Sequence, residues 1–121
     1  VLKFIETNKI KLPNKKILIL GVAYKKNIDD TRESPAFKII EKLKSRGYNF
    51  DYSDPFVKKI KFNKKVIKSI KITKTVLKKY PIVLIVTDHS TFNYKLISKE
   101  AKFIFDSRNS IKKRSKNYFK V

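Results

Sequence analysis

Short apolar runs alternate with polar loops and amphipathic stretches along this chain. Lys16-Ile17-Leu18-Ile19-Leu20 is the first run and ends at Gly21; Ile82-Val83-Leu84-Ile85-Val86-Thr87 is the second continuous one. Unbroken apolar runs of this length suit central parallel strands covered on both faces. Tyr48, Phe50 and Tyr52 alternate with polar residues and predict a strand over 48–52, ended by Ser53-Asp54-Pro55. Lys102 to Phe105 predicts the last strand. Between the first two, Ser34 and Pro35 offer an N-cap and a first helical residue. Ala36, Ile39, Ile40 and Leu43 then recur at helical spacing, and Gly47 suits the position just past the helix end. Thr75 to Lys79 reads as a short helix, and Ser90 as the cap of another running through Phe92, Tyr94, Leu96 and Ile97. Leu2, Ile5 and Ile10 place the tail of a helix before Pro13.

This alternation predicts an α/β fold: a three-layer α/β/α, Rossmann-like domain with a parallel sheet of about five strands. Residues 12–121 form the domain, and residues 1–11 are the end of a linker helix from an upstream domain. The stretch Lys58 to Lys79 resists this reading. It holds ten lysines among scattered isoleucines and phenylalanines without a clean period, and is expected to be irregular with a short strand near Ile70 to Thr73. Tyr118, Phe119 and Val121 are expected to dock the basic tail.

Charge narrows the function less than its size suggests. The net charge is +21, which raises the class of nucleic-acid or polyanion binders. Yet 27 of the 31 basic residues are Lys, and Ile, Asn, Phe and Tyr are abundant too. These are the residues of A/T-rich codons, so the lysines read as a solvated surface, and no aromatics are spaced in the lysine tract for base stacking. A free-standing basic polyanion or RNA-binding module is the alternative function. A degenerate remnant that only assembles with a partner is another. No apolar run approaches a membrane span, and no signal peptide is evident, so the cytoplasm is the default compartment. There is no Cys and no Met. The first excludes disulfides, thiolate metal sites and a cysteine nucleophile; the second suggests part of a longer chain.

The chemistry therefore falls to the loops beyond the strand ends, where α/β sheets bind ligands. The longest is Gly21 to Ala36, GVAYKKNIDDTRESPA. A dinucleotide fingerprint would need G-x-G-x-x-G after the first strand, and only Gly21 is present. Asp29, Asp30 and Asp54 invite a Mg²⁺ reading, but the aspartate pair lies too far past the strand end. His89 is the single histidine, so it makes no metal cluster, and with Asp88 and Ser90 it is expected to stabilise a strand-to-helix turn. What remains is a cationic pocket of Lys25, Arg32 and Arg108, with Tyr24 offering an aromatic face and a hydroxyl. Arginine forks suit phosphate and carboxylate oxygens. Asp29, Asp30, Glu33 and Asp106 are candidate positioners of these cations, though a merely salt-bridged loop explains Asp30, Arg32 and Glu33 as well.

GVAYKKNIDDTRESPA, then YSDP, TDHSTFNY and FDSRN in that order, resembles the C-terminal domain of the UDP-glucose/GDP-mannose dehydrogenase family over residues 12–110. The Tyr-Lys pair and the RESPA ending are most similar to the branch acting on UDP-N-acetyl-hexosamines, such as UDP-N-acetylglucosamine 6-dehydrogenases. The resemblance implies an N-terminal NAD-binding Rossmann domain, a central dimerisation domain and this nucleotide-sugar domain. It also implies oxidation of a sugar C6 alcohol to a carboxylate in two NAD-dependent steps, through a cysteine outside this segment, for polysaccharide precursors. It places Tyr24, Lys25 and Arg108 on the UDP-sugar and Arg32 on NAD. The expected partners are a UDP-sugar and the NAD-binding and dimerisation domains, in the same chain or as a split subunit. The complete protein is then a homo-oligomer with no membrane and no specific nucleic acid among its partners. The segment alone is not expected to turn over.

Overall fold

The computed structural model describes residues 1–108, 110, 111 and 117–120. Five parallel strands form the central sheet: β1 (Lys16–Leu20), β2 (Asn49–Ser53), β5 (Ile82–Ile85), β6 (Phe103–Asp106) and β7 (Tyr118–Lys120), in the order β2-β1-β5-β6-β7. Chain order and space order part company at β1. The chain leaves it toward β2 on one side and returns to β5 on the other, so the β1/β5 boundary is the switch point of the sheet.

Alternation along the strands sorts their side chains into two cores. Ile17, Ile19, Tyr52, Ile82, Leu84 and Phe105 pack on one face with α1 (Leu2–Thr7) and α2 (Pro35–Ser45). Leu18, Leu20, Val83, Ile85 and Ile104 pack on the other with α3 (Lys74–Lys79) and α4 (Tyr94–Glu100). This is the three-layer sandwich expected from the alternation of apolar runs and amphipathic stretches. In α2 the Ser34 hydroxyl accepts from the Ala36 N–H at 3.2 Å, and Pro35 occupies the first turn, where a missing N–H costs nothing. Gly47 beyond it sits at φ +84°, open to solvent.

Three expectations are corrected. The lysine tract is not irregular: β3 (Lys59–Phe62) and β4 (Lys65–Lys68) form an antiparallel hairpin. Asn63 and Lys64 both take positive φ in its two-residue turn, the geometry such tight hairpins require. Ile60 pairs with Ile67 on the inner side, and Lys59 stands opposite Lys68 on the outer side. No strand forms over Ile70 to Thr73. Nor does Ser90 cap the last helix, which begins at Tyr94 under an Asn93 cap accepting from the Leu96 N–H. The tail docks through β7, whose Phe119 stacks 5.0 Å from Phe105; Val121 lies outside the described residues. Among the described residues, no helix is long and apolar enough to cross a membrane.

Candidate functional site

The loops after β1, β2, β5 and β6 meet at the carboxyl edge of the sheet. Two buried carboxylates hold them there. Asp54 follows β2 and accepts five hydrogen bonds. Its Oδ2 takes the N–H groups of Val22 and Ala23 (2.8 and 3.3 Å) and faces Nε2 of His89 at 2.9 Å. Its Oδ1 takes the N–H groups of Phe56 and Val57 (2.8 and 3.2 Å). Burial alone would push this carboxyl up, but the bonds from His89, Val22 and Phe56 outweigh it and hold it below its ordinary value. Asp106, the last residue of β6, does the same for the final loop. It accepts from the N–H of Arg108, Ser110 and Ile111 and from the hydroxyls of Ser110 and Tyr118. These bonds, Tyr118 first among them, likewise overcome burial and lower its pKa.

His89 is wholly buried, with its ring between Phe56 and Phe92 at 4.8 and 5.6 Å. Its Nδ1 accepts from the Asn27 N–H at 2.8 Å. That bond leaves Nε2 to carry the ring proton toward Asp54, so the neutral imidazole satisfies both neighbours. Asn27, at φ +62°, doubles the link: its side chain donates to the Ser90 hydroxyl and accepts the Ser90 N–H (2.8 and 2.9 Å). The expected strand-to-helix turn is thus braced by His89, but through residues from two distant loops.

The rest of the first loop is closed by its own backbone. The Tyr24 N–H donates to the Asp30 carbonyl at 2.7 Å, and the Ala23 carbonyl accepts the hydroxyls of Thr87 and Ser34. Gly21 is forced by packing: a Cβ there would lie 2.4 Å from Cβ of Thr87. What the loop leaves outside is its chemistry. Tyr24 is 47% exposed, and Lys25 is exposed beside it. Arg32, 88% exposed, forks onto Asp30 through Nε and Nη2 (3.1 and 2.9 Å), which lowers the Asp30 carboxyl to about 2. Tyr24, Asp30, Arg32 and Glu33 line one open depression. Lys25 and Arg108 belong to the same edge but do not line it. Arg108 is held by its own Nε, which donates to the Val86 carbonyl at 3.0 Å. Asp29 and Glu33 form no ion pair among the described residues, and no group of His, Asp and Glu there could hold a metal ion. Asn109 lies outside the described residues.

The sequence reading missed Asn27 and undervalued Asp54 and His89. The available signal was an aspartate at a strand end and a lone histidine just beyond an apolar strand. The outer face of the hairpin carries Lys59, Lys61, Val66 and Lys68 and no aromatic ring, so it offers bases nothing to stack on.

Residues 18–113 match the model of the UDP-glucose/GDP-mannose dehydrogenase family, UDP binding domain. The UDP-N-acetyl-D-mannosamine dehydrogenase of Methanocaldococcus jannaschii is 32% identical over 118 residues, which is 88% of this chain and 26% of that protein. Among solved structures, UDP-D-ManNAc dehydrogenase from Pyrococcus horikoshii superposes with a TM-score of 0.70 at 30% identity, over 98% of this chain and 28% of that one. The UDP-N-acetyl-mannosamine dehydrogenase Cap5O from Staphylococcus aureus gives 0.71 at 28% identity, over the same shares. The chain thus spans about a quarter of the relatives it matches. Their names carry an N-acetyl-hexosamine, as the Tyr-Lys and RESPA segments imply, though N-acetylmannosamine rather than N-acetylglucosamine. The chain belongs to the UDP-glucose/GDP-mannose dehydrogenase family, matched through that family's UDP binding domain.

Proposed function

We propose that residues 12–121 are the nucleotide-sugar-binding domain of an NAD-dependent UDP-N-acetyl-hexosamine 6-dehydrogenase, acting in the cytoplasm on precursors of polysaccharides. Residues 1–11, whose helix α1 (Leu2–Thr7) packs on the sheet, are the end of a linker from the preceding domain. The observation that carries this reading is the contrast within the first loop. Its backbone is bonded down at Ala23, Tyr24 and Asn27, while the Tyr24 ring and the Lys25 ammonium are left in water. Tyr24 is one of only three exposed large apolar side chains among the described residues. Tyr24 and Lys25 contact the UDP-sugar, and Arg108, steadied by Val86 and Asp106, supplies a guanidinium to its anionic part.

Among the described residues, NAD fits this chain at one point. Gly21 makes room for Thr87, not for a pyrophosphate, so the first turn is no cradle for a dinucleotide. The exposed guanidinium of Arg32 suits a single contact with a cofactor held mainly by another domain. NAD held there would supply the hydride acceptor for oxidation of the sugar alcohol. This chain binds and orients the nucleotide, and the covalent step falls to a cysteine outside these residues, which contain none.

Calorimetric titration with a UDP-N-acetyl-hexosamine tests the reading. Arg108→Ala and Lys25→Ala should each weaken binding about tenfold or more, the worth of one charge-assisted hydrogen bond. With the NAD-binding portion supplied, Arg108→Ala should raise KM. Unchanged affinity and KM in both variants would refute the assignment.

A further inference from the structure

The ligand loop is fastened to the sheet by a group that can change its charge. We propose that His89 is a positioning residue for residues 24–33, holding them in their ligand-ready arrangement only while its Nδ1 carries no proton. The inference rests on the reading of that loop as a nucleotide-sugar contact.

The geometry sets up a two-state latch. With the proton on Nε2, the imidazole donates to Asp54 and accepts from the Asn27 N–H at 2.8 Å. A second proton goes on Nδ1. The bond to Asp54 survives and gains charge, but Nδ1–H then points at the Asn27 N–H, donor against donor. The room to relax is on one side only. The imidazole is wholly buried between Phe56 and Phe92, and Asp54 is tied by four backbone N–H groups. Asn27 is exposed on a loop and held otherwise only by its two side-chain bonds to Ser90 among the described residues, so Asn27 is what moves.

The groups facing His89 favour this outcome. Asp54, from the turn after β2, is its charged hydrogen-bond partner. From α4, the Tyr94 hydroxyl donates to the His89 carbonyl at 2.7 Å and fixes its backbone, and Asp88 precedes it in the chain. No lysine or arginine forms a bond to the ring among the described residues. Lys25 is two residues from Asn27, and Tyr24 closes on Asp30 across it, so release at Asn27 loosens the exposed pair Tyr24 and Lys25. Acid conditions therefore weaken nucleotide-sugar binding without any change in the ligand, whose pyrophosphate diester keeps its charge.

The test follows two readouts on one protein from pH 8 downward. Long-range ¹H–¹⁵N spectra report the protons on the His89 ring, and hydrogen exchange reports the Asn27 amide. As His89 takes its second proton, the protection of the Asn27 amide, its exchange rate set against the intrinsic rate at the same pH, should fall about tenfold or more, and affinity for a UDP-N-acetyl-hexosamine should fall with the same midpoint. His89→Asn keeps an acceptor where Nδ1 stood and cannot titrate, so its affinity should lose that midpoint. Where this variant does not fold, Asn27→Gly serves. It keeps the backbone N–H and positive φ but drops both bonds to Ser90, and it should bind more weakly at neutral pH with its midpoint retained. A protected Asn27 amide after His89 is doubly protonated overturns the latch, as does an imidazole that stays neutral until the protein unfolds. If no UDP-sugar binds at any pH while the amide still responds, the proposed ligand has failed and the latch has not.

Discussion

Asp54→Asn is the sharpest probe of how this binding edge is held, because it removes one acceptor and changes almost no volume. The carboxylate receives three donors on Oδ2 and two on Oδ1. An amide offers one oxygen. Turned to keep Val22, Ala23 and His89, it presents its NH₂ to the Phe56 and Val57 N–H groups, 2.8 and 3.2 Å away in the native protein. Two buried bonds to a charged acceptor are lost, at about 1.5–3 kcal/mol each, or about 3–6 kcal/mol together. The opposite orientation loses three and costs more. For a domain stable by about 5–15 kcal/mol this is a large share. Urea unfolding measures it: with a slope near ~1.5 kcal/mol per molar, the midpoint should drop by roughly 2–4 M at unchanged slope. A drop below roughly 0.5 M would refute the account of Asp54 as the shared acceptor. The same variant changes the acid limb. The native carboxyl lies below its ordinary value of 3.8, so as pH falls the unfolded chain takes the proton first. Wild-type stability is then complete above that value and declines below it, and Asp54→Asn should decline less steeply.

Other perturbations probe neighbouring features. Gly21→Ala adds a Cβ 2.4 Å from that of Thr87 at φ +87°, which should cost about 2–5 kcal/mol and lower Tm by about 8–20 °C in a thermal melt. Asp106→Asn removes an acceptor shared by five donors, so it should destabilise by about 2–5 kcal/mol and also weaken UDP-sugar binding by freeing the Arg108 loop; intact affinity in the folded variant would detach Arg108 from this support. Lys68→Glu places a carboxylate opposite Lys59, and should raise stability by about 0.2–1 kcal/mol in low salt, with the gain fading in 1 M salt.

Local signals carried the fold. Ser34 and Pro35 start α2 where a cap and a first-turn proline belong, and the apolar run 16–20 is β1 end to end. The hairpin was hidden because lysine occupies both its outer face and half its turn, which masks the alternation of Ile60 and Phe62. Asn63 was the cue that remained. Ser90 looked like a cap because it has the right chemistry three residues too early; Asn93 takes the role, and Ser90 binds Asn27 instead. The bracing of the site was illegible for a different reason. Asp54 and His89 lie 35 residues apart, and Asn27 and His89 62 apart, and no local period reports on pairs that only the sheet brings together.

The order β2-β1-β5-β6-β7 has a consequence for how this domain can meet a ligand. In doubly wound sheets the loops after the two switch strands diverge, and the gap between them is where a dinucleotide sinks in. Here that gap is bridged. Thr87 presses on Gly21, and Asn27 spans to His89 and Ser90. The domain has filled its inherited crevice with its own side chains. On the proposed function it meets its ligand as an open palm does, with Tyr24, Lys25, Arg32 and Arg108 as the fingertips, and a grip would require a second hand.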